Sequence, residues 1–141
     1  MSEARKFQVL FVCIGNSCRS QMAEGFARHH YPELIAACSA GLLPAPIVQP
    51  ETIAVMAEKG ISIDGQRPKP IIDVDWKACD LVINMSGTGM IHMLPGYQGG
   101  NLIWPVEDPM GRSLRKYRRV RDRIESLVHD LAETLRNQLL P

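Results

Sequence analysis

Phe7-Gln8-Val9-Leu10-Phe11-Val12-Cys13-Ile14-Gly15-Asn16-Ser17-Cys18-Arg19-Ser20 decides how the rest of this chain is read. Residues 7–12 form a continuous apolar run that reads as a buried strand. From residue 20 to about 30, Met22, Ala23, Phe26 and Ala27 recur at helical spacing, and Tyr31-Pro32 closes the helix. Between the two lies a short loop bracketed by Cys13 and Arg19. Such a loop turns backbone N–H groups into one concavity, and the helix N-terminus adds partial positive charge. The expected ligand is a tetrahedral oxyanion, held by the loop amides of Ile14, Gly15, Asn16, Ser17 and Cys18 and forked by Arg19. The same positive field favours a thiolate at Cys13. Gly15 takes positive φ at no steric cost, Asn16 tolerates the left-handed region, and the Ser20 hydroxyl is in place to bond the sulfur. The competing reading is a structural cysteine beside a surface arginine, and the strand–loop–helix setting weighs against it.

Outward from this loop, strands and helices alternate. Leu34 to Ala40 is a second apolar run closed by Gly41, and Leu42 to Pro50 carries three prolines and reads as loop. A helix opens at Pro50-Glu51-Thr52 and stops at Gly60. Asp75 to Ala78 reads as a helical turn before a strand at Leu81-Val82-Ile83. A short helix is expected over 88–94 and a last strand over Asn101 to Val106. Leu114 to Leu139 is the clearest helix, with Leu114, Tyr117, Val120, Ile124, Leu127, Val128, Leu131 and Leu135 in one stripe. Four strands alternating with helices predict a single α/β domain over residues 1–141, with a four-stranded parallel sheet flanked by helices on both faces. Sites in such sheets form at the carboxyl ends of strands, where both Cys13 and Asp108 fall. An aspartate before Pro109 is otherwise an ordinary turn residue.

The 141 residues, 45% hydrophobic and 22% charged, suit one globular core, and a net charge of +1 gives no general reason to expect nucleic acid or a membrane surface as partner. The polar start and the apolar run ending at Cys13 suit neither a secretory signal nor a membrane span, so a cytoplasmic location is expected. Cys13, Cys18, Cys38 and Cys79 make no zinc spacing and no disulfide framework. Cys38 and Cys79 read as packing residues, Met85, Met90 and Met93 as core filler, and His29-His30 as a solvated helix face. Neither a metal nor a cofactor is expected. The basic run Arg112, Arg115, Lys116, Arg118, Arg119, Arg121, Arg123 reads as a solvated helix face, with a positive rim that draws anionic substrates as the functional alternative.

The stretch Val-Leu-Phe-Val-Cys-Ile-Gly-Asn-Ser-Cys-Arg-Ser, followed by Gln21-Met22-Ala23-Glu24-Gly25, resembles the low-molecular-weight protein tyrosine phosphatases and the arsenate reductases that share their fold. Ser39-Ala40-Gly41 and Asp108-Pro109 match in order and spacing. The resemblance implies Cys13 as nucleophile, Arg19 as oxyanion clamp, Ser20 as thiolate stabiliser, Asn16 as loop brace and Asp108 as general acid. It implies a phosphatase that hydrolyses phosphate monoesters of phosphoprotein or aryl type through a Cys13 thiophosphate. Two departures qualify this. Gln21 stands where the phosphatases usually have proline, and Leu42-Leu43-Pro44-Ala45-Pro46-Ile47 offers no aromatic to stack on a phosphotyrosine ring. The alternative is a monothiol arsenate reductase, whose Cys13–arsenate adduct is resolved by an external thiol reductant with a glutaredoxin-type partner. The thiol pair of thioredoxin-linked arsenate reductases is missing, since Val82 to Gly89 holds no cysteine. A third reading is a non-catalytic oxyanion- or phosphopeptide-binding module. Cys18, five residues from Cys13, is a candidate for a reversible disulfide that shields the nucleophile, or else a small loop residue.

Overall fold

A computed structural model describes residues 5–89 and 94–139. Strand β1 (Phe7–Cys13) runs into the loop, and α1 (Arg19–His30) returns from it. Then follow β2 (Ile35–Gly41), α2 (Pro50–Ala57), β3 (Leu81–Asn84), β4 (Gly100–Ile103) and α3 (Leu114–Leu139). All strand pairs are parallel, in the order β2-β1-β3-β4. The strand bearing Cys13 is therefore central, and its carboxyl end meets those of its two neighbours.

Alternation along β1 divides the core. Val9, Phe11 and Cys13 face one side with Ile83, α1 residues Met22 and Phe26, and α3 residues Tyr117, Val120, Ile124 and Val128. Leu10 and Val12 face the other with Ala40, Val82, Ile71 and Cys79. Helices α1 and α3 cover the first face, whereas two 3-10 turns, Ile71–Asp73 and Trp76–Ala78, help cover the second. A strand buried on both sides loses the alternating polar pattern, which is why β1 reads as a continuous apolar run.

The last strand is shorter than the sequence suggests. It ends at Ile103, and Trp104 makes only one further ladder bond, to the Asn84 carbonyl, before Pro105 removes a donor. The stripe on α3 holds from Tyr117 to Leu135, but Leu114 at its head is exposed because the helix has not yet reached the sheet. Of the helix expected over 88–94, residues 90–93 lie outside the described residues, as do Met90 and Met93. No helix among the described residues is long and apolar enough to cross a membrane.

Candidate active site

The loop between β1 and α1 is shaped by where its carbonyls go. Cys13, Ile14 and Gly15 accept from the amides of Leu42, Leu43 and Ala45, and Ser17 accepts from the Gln49 amide and the Thr52 hydroxyl. Asn16 accepts from Gln21 Nε2 and Cys18 from the Met22 amide. Every carbonyl from 13 to 18 is thus drawn outward. Among the described residues, the amides of Ile14, Gly15, Asn16, Ser17 and Cys18 donate to no protein acceptor. Five N–H groups left facing one concavity at the start of a helix make an anion cradle. Gln21, where the resembled phosphatases usually carry proline, is wholly buried and helps hold the loop shut.

The left-handed residue in the loop is Asn16, with φ of 50°, and Gly15 does not take positive φ. Glycine is useful there for size: a Cβ at Gly15 would lie 3.3 Å from Ser17 Oγ. Asn16 is fully buried and tied on three sides. Its Oδ1 accepts from the Lys69 amide at 3.0 Å, its Nδ2 donates to Ser20 Oγ at 2.7 Å, and its carbonyl holds Gln21. Ser20 Oγ, which accepts from Asn16, also lies 2.9 Å from Cys13 Sγ, a contact in which either atom can donate. When Cys13 is the attacking thiolate, the Ser20 hydroxyl is the donor of that contact.

Arg19 is buried at the mouth of the loop. Its Nη1 donates to the carbonyls of Met85 at 2.5 Å and Val106 at 3.1 Å. Two chain segments that follow β3 and β4 therefore aim the guanidinium. Its Nε is buried and, among the described residues, has no hydrogen-bond partner. A buried, charged, unpartnered donor is costly unless a ligand meets it, so its position beside the bare amides points to an anion. Asp108 lies across the opening. Its Oδ1 accepts from the Met110 amide at 3.0 Å, and its Oδ2 faces Arg19 Nη2 in an ion pair at 3.7 Å. Glu107, next in sequence, is instead paired with Lys116 and points away; that contact holds its carboxyl below the usual range.

Two contributors escaped the sequence reading. Met85 is core filler by its side chain, but its carbonyl anchors Arg19. Gly41, at the end of β2, passes so close to the loop that a Cβ would lie 2.7 Å from the Ile14 carbonyl. Its place beside Ser39-Ala40 is the one signal that marks it. Cys18 Sγ packs 3.7 Å from the Tyr117 hydroxyl, and burial raises its pKa and keeps it a thiol. Cys79 is buried and Cys38 half-buried against the opposite face of the sheet. The basic run divides. Arg118 and Arg121 bind Glu58 and brace α3 against the end of α2, while Arg112, Arg115, Arg119 and Arg123 remain exposed.

A sequence profile of low molecular weight phosphotyrosine protein phosphatases matches residues 8–140. The chain belongs to that family. Within it, a curated relative from Synechocystis sp. named glutaredoxin arsenate reductase is 41% identical over 126 residues, covering 88% of this chain and 95% of that one. An arsenate reductase from Brevibacillus brevis is 33% identical over 131 residues, 92% and 96% of the two chains. Among solved structures, an arsenate reductase in a phosphate-binding state superposes with a TM-score of 0.82 at 40% identity, covering 92% of this chain and 98% of that one. The family also includes phosphatases. An arginine phosphatase from Geobacillus stearothermophilus superposes with a TM-score of 0.83 at 26% identity, covering 94% of each chain. The low-molecular-weight fold thus carries both chemistries, and the more similar relatives are the reductases.

Proposed function

We propose that this protein reduces arsenate through Cys13, with an external thiol as the electron source. The observation that carries the reading is the cradle itself: five bare amides and the unpartnered Arg19 Nε suit a compact tetrahedral oxyanion. Among the described residues, the large exposed apolar side chains at the loop, Ile14, Leu43 and Met110, bring no ring to hold an aryl ester. The identity to relatives named arsenate reductases supports the same choice.

In the proposed reaction Cys13 Sγ attacks arsenic, forming an S–As bond as an As–O bond breaks. Asp108 Oδ2 gives its proton to the departing oxygen, which leaves as water. The cradle amides and Arg19 hold the remaining oxygens as charge builds on them. A thiolate from outside then attacks Cys13 Sγ. An S–S bond forms, the S–As bond breaks, and its electron pair stays on arsenic, which leaves as arsenite. A second thiolate attacks the mixed disulfide and returns Cys13, so two thiols become one disulfide. Cys18 is held against Tyr117, and Cys38 and Cys79 pack on the other side of the sheet, so the resolving thiol is assigned to a partner of glutathione and glutaredoxin type.

Phosphate monoester hydrolysis needs only Cys13, Arg19 and Asp108, and the arginine phosphatase likeness keeps it as the second reading. One preparation assayed both ways separates them. Arsenite formation that requires glutathione and glutaredoxin, with negligible aryl phosphate turnover, is the expected result. Thiol-independent hydrolysis without arsenite formation would overturn the proposal, and activity that survives Cys13→Ser would remove both readings.

A further inference from the structure

The far end of α1 carries a second cluster of donor groups. His30 is the last residue of α1, and α3 presents Glu125 and His129, four residues apart and therefore on one face of that helix. One ligand atom from each of the three lies within 4.8 Å of the others. His30 Nε2 is 4.0 Å from Glu125 Oε2. We propose that His30, Glu125 and His129 form a binding site for a divalent transition ion of the zinc class, which would clamp α1 to α3.

Ligands of a tetrahedral zinc ion at its usual bond lengths lie about 3.4 Å apart. Closing from the present spacing takes side-chain shifts of about 1 Å, and His30 and Glu125 are exposed enough to make them. His129 has an outer partner of the kind metal-bound imidazoles use: its Nδ1 is hydrogen-bonded to the Tyr31 hydroxyl. With Nδ1–H donating to that oxygen, the Nε2 lone pair is left for the ion. The donors are two imidazoles and a carboxylate with an open side to solvent, a set that suits zinc, cobalt or nickel better than magnesium or calcium. The negative end of the α1 dipole adds a favourable field. Lys59 opposes it, with Nζ 3.0 Å from Glu125 Oε1, but leaves Oε2 free. Packing also recruits His30, whose ring stacks on Phe26 at 6.1 Å. The site is remote from Cys13, since the 12 residues of α1 separate them by about 17 Å.

Zinc and cobalt titrations of the full-length chain in thiol-free buffer test this. Zinc is expected to raise the melting temperature, and cobalt to give visible d–d absorption without the near-ultraviolet band of a thiolate ligand. His30→Ala and His129→Ala should each abolish the zinc-dependent rise while the metal-free protein still melts cooperatively. Tyr31→Phe is expected to weaken binding about tenfold or more, and Lys59→Gln to tighten it. A zinc-dependent rise that persists in the His30→Ala/His129→Ala double variant overturns the assignment, as does a cobalt–thiolate band or no binding at all.

Discussion

Gly41 and Ile14 touch through their backbones: a Cβ placed on Gly41 would fall 2.7 Å from the Ile14 carbonyl oxygen and 3.0 Å from the Asn16 amide nitrogen. The end of β2 thus forms the wall against which the anion loop is cast. Both atoms belong to the backbone, so no side-chain rotation relieves the contact. Gly41→Ala is expected to push the loop open, weaken phosphate binding at least tenfold, and cost about 2 kcal/mol of stability. Calorimetric titration of phosphate beside a denaturation curve checks both effects. Unchanged phosphate affinity would show that the loop does not depend on this wall.

Ser20 Oγ sits between Asn16 Nδ2 and the Cys13 sulfur, and its hydroxyl can donate to a thiolate there. Removing that donor by Ser20→Ala should cost the Cys13 thiolate about 1.5 kcal/mol, or about tenfold in its alkylation rate at neutral pH. Asn16→Ala removes both the bond to Ser20 and a buried brace, so its loss should be larger and accompanied by a lower melting temperature. Iodoacetamide kinetics on Cys13, read by mass spectrometry, separates the two variants.

Arg19 is aimed by two carbonyls, those of Met85 and Val106. Arg19→Lys keeps the charge but cannot satisfy both carbonyls and fork an anion at once. Turnover is expected to fall about 100-fold or more, with phosphate affinity falling as well, as for loss of a transition-state donor. Assays of turnover and phosphate binding on the same preparation would test it. Retention of more than half the activity would argue for a point charge rather than a fork.

Glu58 receives Arg118 and Arg121, whose hydrogen bonds lower its pKa from the usual carboxylate value of 4.5 to about 2. A carboxyl depressed on folding adds stability that is complete above its unfolded value and is lost as pH falls from 4.5 toward 2. Glu58→Gln should flatten the acid limb of the stability curve in that window and lower stability near neutrality. Urea midpoints measured across the pH range test the sign directly.

Burial leaves Cys18 a thiol against Tyr117. In Cys13→Ser protein, Cys18 should resist alkylation at neutral pH until urea unfolds the chain, and Tyr117→Phe should leave it shielded by packing. Rapid labelling of the folded protein would reopen the expectation that Cys18 protects Cys13 by forming a disulfide.

The chain by itself determined the loop, because it depends on contiguous residues. An apolar run too continuous for a one-sided strand, a small-residue loop and a helical repeat place a thiol, five amides and an arginine together through short-range geometry alone. The same holds for α3, whose stripe needs only the helical period. Tertiary structure decided everything that crosses between elements. It gave the left-handed position to Asn16, since the Lys69 amide reaches its side chain from a distant loop. It made Met85 an anchor through its carbonyl, which no side-chain pattern reveals. It separated Arg118 and Arg121, spent on Glu58, from the exposed arginines around them. It also brought His30 to Glu125 and His129. The physical reason is common to all four: strand order and helix packing set which distant residues become neighbours, and no local periodicity encodes that choice.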